Sequence, residues 1–218
     1  DAITTASYNT GIGGAALGAT TTASNNTAVG YSSLSANTTG TSNVAVGATA
    51  LDSNTEGSRN VAIGFAAGDA ITTGSDNTAI GYWSLKTATT VDANTALGTY
   101  ALKNTTGANN TSVGKSSLEI NNSGAGNTAV GYYAMYANTT GSNNTVMGSY
   151  ALDANDVGLN AVAIGYGAAT AWKPTDTGKN ITAVGYNALS SNTTSGYNTA
   201  VGYQAADAIT TGNYAVAI

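Results

Sequence analysis

Residues 127–135 read Asn-Thr-Ala-Val-Gly-Tyr-Tyr-Ala-Met, and variants of this stretch recur along all 218 residues of the chain. The copies are 17 residues apart, except for one interval of 16 (Gly98 to Gly114) and one of 20 (Gly165 to Gly185). A fixed period of this length is typical of repeat architectures. The glycines that mark the copies are Gly13, Gly30, Gly47, Gly64, Gly81, Gly98, Gly114, Gly131, Gly148, Gly165, Gly185 and Gly202, and a thirteenth copy ends at Ile218.

Several positions of the repeat have a fixed character. The residue before each glycine is aliphatic in every copy, beginning with Ile12, Val29, Val46, Ile63 and Ile80. The residue before that one is nearly always Ala, and the residue three after the glycine is always Ala or Ser. Asn occupies the fourth position before the glycine in most copies, and Leu the fourth position after it. Each position thus predicts a column of like side chains in a stacked structure.

The repeat predicts an all-β fold. Thr-Ala-Val favours a strand bounded by Asn and Gly, and the segment ending in Ala-Leu is expected to form a second, weaker strand. Helices are not expected, because Gly and Thr are abundant and apolar residues show no 3.6-residue spacing. We expect a β-solenoid or β-roll of about 13 coils with a 17-residue repeat, forming one array over residues 1–218 of a longer fibrous protein. Coils stacked at the usual strand spacing would give a rod of roughly 60 Å.

The columns have expected roles. The invariant aliphatic residue and the Leu should line the lumen, and the glycine should allow a positive φ or a close backbone approach. The Asn column forms either a ladder of amides that bond from coil to coil or a row of ordinary turn formers. Two large aliphatic side chains per coil recover little of the entropy cost of ordering 17 residues. We therefore expect an oligomer with the Ala columns near the chain contacts; the alternative is a thin monomeric roll with Ala packed inside.

The repeat resembles those of a known group of proteins. The segments 127–135 and 181–189 are similar to repeats of phage tail-fibre proteins and of large surface proteins of aquatic bacteria. Ala-Ile-Gly at residues 62–64, 79–81 and 163–165 is similar to the core of YadA-like trimeric autotransporter adhesin head repeats. The resemblance implies a homotrimer of left-handed parallel β-rolls on a virion tail fibre or a bacterial cell surface. The adhesin heads repeat with a shorter period, so one turn should be longer here.

Composition excludes several classes of function. The chain has no His and no Cys, so His-based triads, Cys nucleophiles and disulfides cannot form. Only six Lys and Arg residues and a net charge of −5 argue against nucleic-acid binding. No apolar run is long enough to span a membrane within this segment. No carboxylate recurs at a fixed repeat position in most copies, so we expect neither an enzyme nor a cofactor; Asp153 and Asp156 are the nearest approach to a paired site.

Two features are candidates for surface contact. Aromatic residues follow the repeat glycine by one or two positions, among them Tyr82, Trp83, Tyr132 and Tyr133, and should align along the array. They either contact sugars of a host surface or pack between subunits. The second feature is the longer repeat, with an inserted loop at about residues 171–179. It contains Trp172, Lys173 and Asp176, and is either a contact site for a partner or a tolerated bulge.

These observations favour an extracellular structural and adhesive fibre segment that binds a glycan or protein receptor. An ice-binding β-solenoid is the alternative, because 36 residues are Thr. A segment of a polysaccharide-depolymerising tailspike is the second alternative.

Overall fold

The computed structural model of the chain describes residues 6–175 and 180–218. The chain divides into two compact units, residues 1–108 and residues 109–218. The described residues contain thirteen strands and no helix. Unit 1 contains β1 (Thr10–Ile12), β2 (Thr27–Val29), β3 (Val44–Val46), β4 (Val61–Ile63), β5 (Thr78–Ile80) and β6 (Thr95–Leu97). Unit 2 contains β7 (Thr111–Val113), β8 (Thr128–Val130), β9 (Thr145–Met147), β10 (Val162–Ile164), β11 (Ile181–Val184), β12 (Asn198–Val201) and β13 (Val216–Ala217).

Within each unit, every strand pairs in parallel with the next strand of the chain. The register follows the repeat, so that Ala28 lies beside Ala45, and Ala129 beside Val146. The longer repeat keeps this register, because Ala163 pairs with Ala183. The expected all-β solenoid with a 17-residue repeat is therefore confirmed.

Each coil contains one strand where two were expected. The segment that ends in Ala-Leu is a turn, with φ of 49° at Leu34 and 51° at Leu51. It still bonds from coil to coil, since the Leu34 N–H donates to the Ala50 carbonyl at 3.0 Å. The prediction of a second strand was wrong, because a residue with positive φ interrupts the extended backbone.

The left-handed conformation explains why this position favours Leu. A β-branched side chain is a severe outlier at positive φ, whereas an unbranched Cβ is tolerated at some cost. The residues found here with positive φ are Leu17, Leu34, Leu51, Gly68, Leu85, Leu102, Leu118, Met135, Leu152, Ala169, Leu189 and Ala206. None is β-branched, whereas the strand ends are mostly Val and Ile, which the β region favours.

The interior of each unit is lined by Leu and Ala. Leu34, Leu51 and Leu152 are 0% exposed, as are the central strand residues Ala28 and Ala45. Because side chains alternate along a strand, a buried central Ala places its two strand neighbours on the outer face.

The prediction that the invariant aliphatic residue lines the lumen was therefore wrong. Val29, Val46 and Ile80 are partly exposed, and Ile63 is 39% exposed.

The Ala columns are also placed differently from the expectation. The Ala or Ser three residues after the glycine is buried inside the single chain, as at Ala50, Ala101, Ala151 and Ser84. These residues have no surface left for another chain. The expected position of the Ala columns near the chain contacts was wrong, and the alternative of Ala packed within the roll describes the structure.

The Asn column forms a ladder of buried amides. Asn43 Oδ1 accepts the backbone N–H of Asn60 at 2.9 Å, and Asn43 Nδ2 donates to the Gly57 carbonyl at 2.8 Å. Both partners belong to the following coil. The same pair of bonds occurs at Asn26, Asn43, Asn60, Asn77, Asn127, Asn144 and Asn198. Of the two readings of this column, the ladder is confirmed.

A second Asn ladder runs through the other turn. Asn54 Nδ2 donates to Asn37 Oδ1 of the preceding coil at 3.1 Å and to the Gly57 carbonyl at 3.0 Å. Asn138 and Asn155 repeat the amide-to-amide bond in unit 2. The Gly57 carbonyl thus accepts from both ladders, which converge on one oxygen per coil.

The second ladder ends where another residue type replaces Asn. Ile71 follows Asn54 by one repeat, and Asn54 Oδ1 is buried without a hydrogen-bond partner in the described part of the chain. Trp172 precedes Asn192 in the same column, and Asn192 Nδ2 is likewise without a partner there. Each ladder amide therefore depends on its neighbours one coil away.

The repeat glycine meets both expectations for it. All these glycines from Gly13 to Gly202 have φ between 125° and 144°. A Cβ on Gly131 would lie 2.6 Å from the carbonyl carbon and oxygen of Gly148. The backbones of successive coils therefore approach too closely here for any side chain.

The first prediction concerns the ladder. Replacing Asn127 by Ala removes the acceptor of the Asn144 backbone N–H and one donor to the Gly141 carbonyl. Since both groups are buried, the free energy of unfolding should fall by about 1–3 kcal/mol. The matched control is Thr140→Ala, at an exposed turn position of the same unit. This variant should change the free energy of unfolding by less than about 0.5 kcal/mol. Equal effects of the two variants in urea denaturation would contradict the ladder's role.

The second prediction concerns the left-handed Leu. Leu152→Ile keeps the volume of a fully buried side chain but puts a β-branched residue at a φ of 52°. The backbone strain should destabilise the fold by about 1–3 kcal/mol. Val130→Ile at a strand end, where the β region suits a branched Cβ, should be close to neutral. If thermal unfolding shows the two variants to be equally stable, the conformational explanation of the Leu column is wrong.

Candidate interaction surface

In each unit, the outer face of the strands presents a continuous line of apolar side chains. We call the residues that end the strands the aliphatic column. In unit 1 this column consists of Ile12, Val29, Val46, Ile63, Ile80 and Leu97, and in unit 2 of Val113, Val130, Met147, Ile164, Val184 and Val201. Its most exposed members are Ile12 at 59% and Met147 at 51%. The column contributes little to the interior, which the Leu and Ala side chains fill.

An aromatic column runs beside the aliphatic column. It follows from the sequence, since the aromatic residue comes one or two positions after the repeat glycine. In unit 1, the rings of Phe65 and Tyr82 stack at 5.5 Å, and those of Tyr82 and Trp83 at 5.0 Å. In unit 2, Tyr132 and Tyr133 lie 4.6 Å apart with tilted rings. The predicted alignment of aromatic residues is confirmed within each unit.

Unit 2 contains the most regular part of the aromatic column. The ring of Tyr186 stacks on Tyr166 at 5.5 Å and on Tyr203 at 5.3 Å, with interplanar angles of 12° and 9°. Tyr150 meets Tyr132 edge-on at 5.4 Å. Because stacked rings cover one another's faces, the ring edges and hydroxyl groups are what this part of the column offers to solvent.

Two lysines contact the aromatic column at Trp83. Lys86 Nζ lies 4.8 Å from the Trp83 ring centroid and Lys103 Nζ lies 5.5 Å from it, which is cation–π distance. Lys86 also pairs with Asp69 at 3.4 Å. Sequence reasoning missed this cluster. The available signal was that Lys86 and Lys103 occupy the same repeat position in successive coils.

The inserted loop differs from its expected role. Trp172 is 0% exposed, and its Nε1 donates to the Ser195 carbonyl at 2.8 Å. Its ring lies against Gly158, where no Cβ could fit. The prediction of Trp172 as a surface contact was therefore wrong: it fills the interior in place of a ladder Asn. Lys173 is exposed, whereas Asp176 lies outside the described residues.

Several carboxylates among the described residues form contacts between coils. Asp153 accepts a hydrogen bond from Thr170 Oγ1 at 2.6 Å, and Asp156 accepts one from Thr139. Burial raises the pKa of Asp153 above its ordinary value, an effect that the Thr170 hydrogen bond opposes.

The exposed Arg59–Asp76 pair spans one repeat at 2.6 Å. Its hydrogen bonding lowers the pKa of Asp76 and raises that of Arg59.

Residues 6–175 and 180–218 hold no group of three or more side chains suited to a metal ion. The same residues include no helix of the length and apolarity needed to cross a membrane.

Comparison with family models, curated proteins and solved structures gives no match for this chain. The resemblance of the repeat to tail-fibre and adhesin sequences therefore stays a prediction.

Proposed function

We propose that this chain is a structural and adhesive fibre segment whose aliphatic column packs against sister chains. The observation that carries the proposal is the aliphatic column itself. An apolar residue stands at the end of a strand in every coil, although the solenoid interior is complete without it. Contiguous exposed apolar surface on a protein marks an interaction site.

The chemistry beside the column agrees with association between chains. Only 8% of the residues are charged, so few charges would have to be desolvated on contact. Tyr and Phe of the aromatic column suit an interface, because one part of the side chain can be buried while the Tyr hydroxyl stays in water. The contacts fall on the aliphatic column, since the Ala columns lie inside the chain, and the aromatic column lies beside these contacts with its Tyr hydroxyl groups in water.

The oligomeric state and the location in the proposal rest on the resemblance of the repeat to tail-fibre and adhesin sequences. It favours a homotrimer and a place in a phage tail fibre or a trimeric bacterial adhesin, outside the cell. In such a particle the repeats give reach, and identical chains present the same groups several times. Binding to a host glycan or protein would then gain from multivalency, with no chemistry at the site.

The third prediction tests the association. The native particle should have a mass that is a multiple of the single chain, with a threefold mass for the trimer. Replacing Ile63 and Ile80 together by Glu puts two charges on the aliphatic column. This double variant should sediment as a single chain while its far-ultraviolet circular dichroism stays unchanged, because neither residue is part of the core.

Thr73→Glu is the matched control, since it adds a charge at an exposed turn of the same unit and should leave the oligomer intact. A monomeric wild-type chain, or a double variant that keeps the wild-type mass, would contradict the proposal.

Ice binding is the second candidate, and one observation favours it. The first strand position is Thr in three successive coils of unit 2, where Thr111, Thr128 and Thr145 are paired in register on the outer face. Two turn threonines are bonded between coils instead, since Thr38 Oγ1 donates to the Thr55 carbonyl at 3.0 Å and Thr72 Oγ1 to the Thr89 carbonyl at 3.1 Å. The fibre proposal predicts no thermal hysteresis from the purified chain, whereas the ice-binding alternative requires it.

A further inference from the structure

Five tyrosines of unit 2 form two stacks at opposite ends of the strands. Tyr166, Tyr186 and Tyr203 follow β10, β11 and β12, and we call them the tyrosine stack. The second stack consists of Tyr197, which precedes β12, and Tyr214, which lies before β13; their rings are 5.1 Å apart with an interplanar angle of 6°. In each case near-parallel phenol rings are held one coil apart by the parallel register of the strands.

These rings are accessible from solvent. In the tyrosine stack Tyr166 is 51%, Tyr186 44% and Tyr203 74% exposed, and Tyr197 and Tyr214 are 47% and 76% exposed. The chain has 13 Tyr and no Cys, so a disulfide cannot link its coils. The phenol rings at these positions are the side chains that an oxidant can couple to one another.

We propose that the tyrosine stack and the Tyr197–Tyr214 pair are oxidative cross-linking sites, at which a haem peroxidase with hydrogen peroxide joins tyrosines of successive coils as dityrosine. The inference does not depend on what the fibre segment binds.

The reaction balances with peroxide as the oxidant. Each of two phenols loses one electron and its hydroxyl proton, which gives two phenoxyl radicals. A carbon–carbon bond forms between the Cε atoms beside the two oxygens. The hydrogens on those carbons then move to the oxygens and restore both phenols. The two electrons and two protons reduce one hydrogen peroxide to two waters, with cleavage of its O–O bond.

The geometry favours coupling within one chain. A phenoxyl radical on Tyr186 has a second phenol stacked on each side, at 5.5 Å and 5.3 Å between ring centroids. A partner held at this distance is present at a far higher effective concentration than a tyrosine of another molecule in dilute solution. The edge-on contact of Tyr132 with Tyr150, at 83°, aligns the ring carbons less well.

The product would link successive coils covalently. A bond from Tyr186 to Tyr203, or from Tyr197 to Tyr214, closes a loop of one repeat and restricts the unfolded chain, as a disulfide does. Cross-linked protein should therefore resist proteolysis and thermal unfolding more than untreated protein.

The test treats the full chain at low concentration with horseradish peroxidase and less than one equivalent of hydrogen peroxide. Dityrosine fluorescence, denaturing gels and peptide mass spectrometry are the measurements. We expect single-chain product with peptides linked between Tyr186 and Tyr166 or Tyr203, and between Tyr197 and Tyr214.

Tyr186→Phe keeps the stacked ring but lacks the phenol. This variant should lose the first two linkages, keep the Tyr197–Tyr214 linkage and show lower fluorescence. Tyr31→Phe is the matched control: Tyr31 is 66% exposed and has no stacked ring partner in the described part of unit 1, so the pattern should not change.

Three results would overturn the proposal. These are the absence of dityrosine, a product that consists mainly of cross-links between chains, and a Tyr186→Phe variant that matches wild type in yield and linked peptides. The conservative Tyr-to-Phe change keeps the fold, and unchanged circular dichroism checks this.

Discussion

The buried Asn ladder is the interaction on which the rest of the structure depends. In the first of the two ladders, the carboxamide accepts the backbone N–H of the next coil through Oδ1 and donates to a carbonyl of that coil through Nδ2, as Asn43 does with Asn60 and Gly57. The backbone N–H and carbonyl groups that these carboxamides bind lie at turns, outside the paired strands. Unsatisfied, each would cost about 1–3 kcal/mol in the dry interior. The ladder therefore lets a short turn be buried in the coils that carry Asn, and it holds these coils at the spacing and register of the paired strands.

The other columns follow from that spacing. Successive backbones approach so closely at the repeat glycine that a Cβ on Gly131 would meet the carbonyl of Gly148 at 2.6 Å. The chain then reverses through residues with positive φ, and the inward-facing Leu position among them carries no β-branched residue in the described coils. With Leu and Ala filling the interior, the Val and Ile of the strand ends are left outside. An apolar outer face is thus a consequence of how the coil closes, and it is available for contacts between chains.

The sequence predicted the period, the parallel columns and the all-β class, because these depend only on which residue types recur and how far apart. It also placed the Leu column correctly in the interior, but it did not predict that the aliphatic column faces outward. Val29 and Leu34 are both aliphatic, and a period alone does not say which of them points to the interior; the left-handed φ at Leu34, a property of the folded turn, decides it. The sequence also did not predict where Trp172 lies. A bulky residue in an insertion reads as a surface loop, whereas here it replaces an amide inside the stack. For the candidate surface, the aromatic column was predictable from the spacing of its residues. The outward orientation of the aliphatic column and the contacts of Lys86 and Lys103 with Trp83 could be found only from the folded structure.

Hydrogen exchange at the ladder carboxamides, followed by nuclear magnetic resonance, tests the central claim most directly. If the ladder holds the coils together, the Nδ2 hydrogens of Asn43, Asn60, Asn127 and Asn144 are protected to the same degree as the backbone amides of the neighbouring strands, because both open only when coils separate. Exchange of these side chains at the rate of a freely solvated carboxamide, with the strand amides still protected, would show that the coils stack without the ladder and would contradict this account.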